Sequence, residues 1–129
     1  MENRSQTDSE RDLFVQAFWV KCREVIRPQI DEAVTRLEAG GRKVGVSSQE
    51  FEEGAAPSLT LTVDAPEVDA SRDTEAPDSA IHFIGDTVRQ TVVVRSSGHD
   101  ENKPSGTLAT FELSQVDARA VKAIIDAWI

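Results

Sequence analysis

The sequence predicts an α+β domain: a long N-terminal helix, an antiparallel sheet of about five strands and a C-terminal helix, with both helices on one sheet face. Three observations predict it. An apolar stripe with helical spacing runs through residues 7–41. Short segments of alternating polarity follow, separated by turn-forming residues. A second helical stripe closes the chain.

The first helix opens at Thr7, with Glu10 three positions on in a capping-box pattern, and ends at Gly40-Gly41, where a left-handed cap forms easily. At 100° per residue its stripe comprises Val15, Phe18, Trp19, Cys22, Val25, Ile26, Ile30, Ala33 and Leu37. Pro28 falls on the polar side and conflicts with the carbonyl of Glu24, so a kink is expected. Two helices meeting at Arg27–Pro28 are the alternative. Leu13, Ala17 and Val20 form a second strip nearly opposite the first, with Phe14 between the two. A helix apolar on both sides is normally covered on both sides.

After the helix, Arg42 to Phe51 alternates weakly around Val44 and Val46. Ser58 to Asp64 is the clearest strand, with Leu59, Leu61 and Val63 facing in. Ala65 to Ser79 is acidic and poor in apolar residues, which predicts a mobile loop; its acids lack the spacing of a calcium loop. Ile81 to Arg95 reads as a hairpin turning at Gly85-Asp86, which pairs His82 with Arg89 and Phe83 with Val88. That register puts Ile81, Phe83, Val88, Val92 and Val94 on the inner face. Ser96 to Gly106 is a polar loop, and Gly106 to Leu113 a last strand with Ala109, Phe111 and Leu113 inward. Ser114 with Asp117 suggests a capping box for the final helix, whose stripe is Val121, Ile124, Ile125 and Trp128. The chain stops at Ile129 in a helical pattern, which implies a docked end or a longer parent protein.

A length of 129 residues suits a single domain, with residues 1–6 expected to be disordered ahead of it. A formal net charge of −9 argues against nucleic acid or an anionic membrane surface as the main partner. No apolar run is long enough to span a bilayer, and the N-terminus has no apolar signal core, so a cytoplasmic location is expected. The single cysteine, Cys22, lies on the core stripe and reads as a small buried hydrophobe rather than a nucleophile.

Chemistry is sparse. Ser97-Gly98-His99-Asp100 places serine, histidine and aspartate side by side, but a triad needs them brought together by the fold. The two histidines make no zinc signature, and neither phosphate-loop nor dinucleotide motifs occur, so no cofactor or metal is expected. The outward sheet face carries Thr60, Thr62, His82, Arg89, Thr91, Arg95, Thr110 and Glu112; of these His82, Arg89 and Arg95 are the candidate ligand-binding residues. Three classes of function stay open. One is a non-catalytic interaction or adaptor module working as a homodimer through Leu13, Phe14, Ala17 and Val20. Another is an anion or small-ligand binder, or an enzyme, using the open sheet face. The third is a structural subunit of a larger assembly.

Overall fold

The computed structural model describes residues 3–50, 56–63, 79–97 and 106–128, residues 3–9 as backbone only. Helix α1 spans Asn3–Lys21 and continues through a π-helical turn, Cys22–Ile26, into α2, Arg27–Ala39. Five strands follow: β1 Val44–Gln49, β2 Ser58–Val63, β3 Ser79–Asp86, β4 Thr91–Ser97 and β5 Gly106–Glu112. A 3₁₀ turn, Leu113–Gln115, leads to α3, Ala118–Trp128. The strands form one antiparallel meander in the order β1-β2-β3-β4-β5.

One core joins the layers. Phe18, Cys22, Ile26, Ile30, Ala33 and Leu37 from the continuous N-terminal helix, and Val121, Ile125 and Trp128 from α3, pack with Leu59, Leu61, Ile81, Phe83, Val92 and Val94 of the sheet. Both helical layers therefore cover the same sheet face, as the alternation of the strands requires. Arg36 to Asp126 (2.6 Å) and Lys122 to Glu32 (3.2 Å) tie α3 to α2 along their outer edges. The Asp126 carboxyl is held below its usual range by the hydrogen bond from Arg36 and by Lys122 nearby.

The region around Pro28 is continuous helix, and the π turn lies immediately before it. Proline has no N–H to offer the carbonyl four residues back. Here the backbone opens to the wider spacing one residue earlier, where the Arg27 N–H donates to the Cys22 carbonyl five residues back. The wider turn also carries the stripe. Phe14, Phe18, Cys22, Ile26 and Ile30 are all buried, each four residues from the last. In a regular α-helix each such step drifts about 40° around the axis, which would take Ile30 to the far side of Phe14. One extra residue in the π turn takes back about 100° of that drift.

The C-terminal cap of α2 is a complete Schellman motif. The Arg42 N–H donates to Leu37 O (3.0 Å) and the Gly41 N–H to Glu38 O (2.9 Å), with Gly41 at φ 86°. At the other end the helix already runs from Asn3, so Thr7 lies inside it and is no cap; of residues 1–6 only Met1 and Glu2 fall outside the described residues. Neither glycine nor proline occurs in residues 3–6 to stop the helix earlier. The start of α3 also differs from expectation. Asp117 accepts the Ala120 N–H (2.8 Å) and so caps α3 itself. The capping box upstream joins Glu112 and Gln115 around the 3₁₀ turn, with the Glu112 N–H donating to the Gln115 side chain (2.9 Å).

The β3–β4 hairpin turns three residues later in the chain than Gly85-Asp86 would place its centre. Its loop is Thr87–Gln90, and Asp86 pairs with Thr91, Phe83 with Val94 and His82 with Arg95. Asp86 holds the loop from its first position, its carboxylate accepting the Val88 and Arg89 N–H groups (both 3.1 Å). Gln90 closes the loop in the left-handed region at φ 57°. Gly85 is thereby released for packing. A Cβ there would stand 3.1 Å from the Phe18 ring and 3.2 Å from Pro57 Cγ, so glycine marks the close approach of α1 to the sheet. Val88, expected on the inner face, sits at the loop tip and is 90% exposed. The shift in register is an even number of residues, so the faces of the other strand residues are preserved.

The acidic segment expected to be a mobile loop lies, apart from Ser79, outside the described residues, and Ser79 is a buried first residue of β3. No helix among the described residues is long and apolar enough to cross a membrane.

Candidate functional site

Two surfaces carry the sequence-predicted residues: the outer side of α1 and the open face of the sheet. On α1 the stripe is set by the large rings. Phe14 is buried and stacks on Phe18 with centroids 6.4 Å apart, and Phe18 meets Trp19 edge-on at 5.2 Å. Phe14, expected beside Leu13 on the outer strip, is buried in the core, because the four-residue spacing aligns it with Phe18 and Cys22. Its former companions point the other way. Leu13 is 66% exposed and Val20 39%, with half-buried Ala17 between them.

The β3–β4 loop adds to this surface. Gln90 reaches the carbonyl of Glu10 (3.5 Å), bringing the loop that carries Val88 beside the turn of α1 next to Leu13. Leu13, Val20 and Val88 are the large apolar side chains exposed among the described residues. Sequence reasoning missed Val88 because its burial depended on a hairpin register that local turn chemistry misplaced; an aspartate opening a loop was the available signal. Charge around the helical strip balances locally, as Arg11 lies against Asp12 (3.8 Å) and Arg23 against Glu24 (3.9 Å).

On the open face, neighbouring strands bring Thr60, His82 and Arg95 into one row. His82 Nδ1 lies 3.0 Å from Thr60 Oγ1 and its Nε2 3.1 Å from Ser97 Oγ. The neutral ring donates to one hydroxyl and accepts from the other. Partial burial, and then the nearby Arg95 charge, lower the His82 pKa from its ordinary value. Arg89 is not part of this group. It belongs to the hairpin loop beyond the Asp86–Thr91 pair, which is itself four residue pairs from the His82 row, roughly 13 Å along the strands. In sequence Ser97 stands beside Gly98, His99 and Asp100; pairing of β3 with β4 gives it His82 as a partner.

Cys22 is buried on the core stripe, and desolvation pushes its thiol up to about 12. Among the described residues no group of three histidine, cysteine, aspartate or glutamate side chains is placed to hold a metal ion. Comparison with protein-family models, with characterised proteins and with solved structures finds no match to this chain. The functional reading therefore rests on these two surfaces.

Proposed function

We propose that the protein is a non-catalytic interaction module that pairs with a second copy of itself through the outer side of α1. The observation that carries this is the exposure of Leu13 and Val20 on a helix whose other side already serves the core. Their spacing with Ala17 follows the three-and-four pattern by which two helices pack along a seam. A strip of this kind on one protomer is complementary to itself across a two-fold axis. Burying Leu13, Val20 and Val88 contributes on the order of 4 kcal/mol before the costs of association, which supports a weak, reversible pair.

The test is the double change Leu13→Glu with Val20→Glu, followed by light scattering and circular dichroism. A dimeric parent and a folded, monomeric variant are expected. A monomeric parent whose variant unfolds would show that the strip serves the monomer's own core.

A further inference from the structure

The row through His82 has a chemical character unlike the rest of the molecule. Across the five strands it presents Ser47, Thr60, His82, Arg95 and Thr107, and Ser97 adjoins it diagonally. In a chain with 23 acidic residues and a net charge of −9, this row holds a cation, a histidine and hydroxyls, with no carboxylate. Among the described residues the acidic members of the same face, Asp86 and Glu112, both flank Thr91, four residues along β4 from Arg95. Among the described residues the Arg95 guanidinium has no carboxylate partner, whereas Arg27 and Arg36 are both paired.

A β-bulge shapes the row. The β4–β5 register shifts between Val94 and Arg95, so Val94 faces Ala109 and Arg95 faces Thr107, leaving Leu108 unmatched. A regular ladder would have put Leu108 on the open face opposite Arg95. With the bulge, Leu108 packs against the core and the hydroxyl residue Thr107 becomes the cross-strand partner of Arg95.

We propose that Arg95, Ser97 and Thr107, backed by His82, bind a tetrahedral oxyanion, the phosphate group of a small ligand. Arginine supplies a planar fork of N–H donors for two oxygens, and the hydroxyls supply single donors for the others. That donor set exceeds what the two oxygens of a carboxylate use. His82 acts through its neighbours. When its ring is protonated, both ring N–H groups donate to Thr60 and Ser97, and the Ser97 O–H turns outward toward the anion. Anion binding and protonation of His82 therefore reinforce one another. The site is separate from the helical strip, so it stands or falls independently of self-association.

The experiment is an NMR titration of the two histidine side chains in the full chain, in sodium sulfate and in sodium chloride at equal ionic strength. Sulfate is the probe because it stays dianionic across the titration. Sulfate is expected to move the His82 midpoint upward by several tenths of a pH unit while His99 stays in place, and Arg95→Gln is expected to abolish that shift. Ser97→Ala should reduce it, with circular dichroism unchanged in both variants. Equal movement of both histidines, no movement at all, or a shift that survives Arg95→Gln would overturn the proposal. A response to sodium acetate in place of sulfate would overturn the assignment to a tetrahedral anion.

Discussion

Gly85 and His82 show how much single residues decide in this fold. At Gly85 the absence of a side chain lets the Phe18 ring lie directly on β3, while the Gly85 N–H donates to Pro57 O (2.8 Å). Phe18 and Pro57 are themselves fully buried and have little room to move. Gly85→Ala is expected to destabilise the protein by about 1–3 kcal/mol, read as a lower urea midpoint with an unchanged slope. An unchanged midpoint would mean that α1 can lift from the sheet without cost. His82 links stability to pH. Its pKa is lower in the folded protein, so between that value and the ordinary one of about 6.5 the unfolded chain binds more protons. Stability from this group is complete above about pH 6.5 and declines as pH falls toward the folded value. His82→Gln should flatten the stability profile in that window, measured by denaturant unfolding at a series of pH values.

At the scale of elements, the π turn and Pro28 are one device. Removing one residue from the turn would restore regular α spacing, and the buried positions would then recur at three-and-four intervals throughout α1 and α2. Pro28 would be left without its wide turn. Deletion of the exposed Glu24 is therefore expected to cost about 3 kcal/mol while Pro28 is present, and adding Pro28→Ala should recover most of it. Purely additive effects in thermal unfolding would break the link between the two. The hairpin teaches the complementary lesson. Its strands were legible from alternation, but two turn signals competed: a glycine-first pair at Gly85-Asp86 and an aspartate-led four-residue loop. Packing of Phe18 on Gly85 holds the glycine inside β3 and leaves the loop to Asp86.

For the whole molecule the central balance lies between apolar pairing and charge. Each chain carries −9, so two chains repel at long range even though the charges beside the strip cancel. The Debye length falls from about 30 Å at 0.01 M salt to about 3 Å at 1 M. The dimer fraction at fixed protein concentration is therefore expected to rise with salt, as followed by sedimentation equilibrium. A fall with salt would indicate a pairing surface held by ion pairs, contrary to the apolar strip proposed.

Periodicity alone determined the α+β class, the five strands, the inner face of the sheet and the two helix stripes, because burial on one side leaves a spacing that can be counted along the chain. The glycine cap of α2 was legible for the same local reason, since a left-handed residue ends a helix wherever it falls. Tertiary structure decided the rest. Phe14 became core because the π turn altered the phase of the helix, and nothing in residues 7–41 read as a regular wheel contains that turn. Arg89 left the candidate site and Ser97 joined it because strand register is set by contacts between segments distant in sequence. The hydroxyl, histidine and arginine row exists only across strands, so no single stretch of sequence displays it.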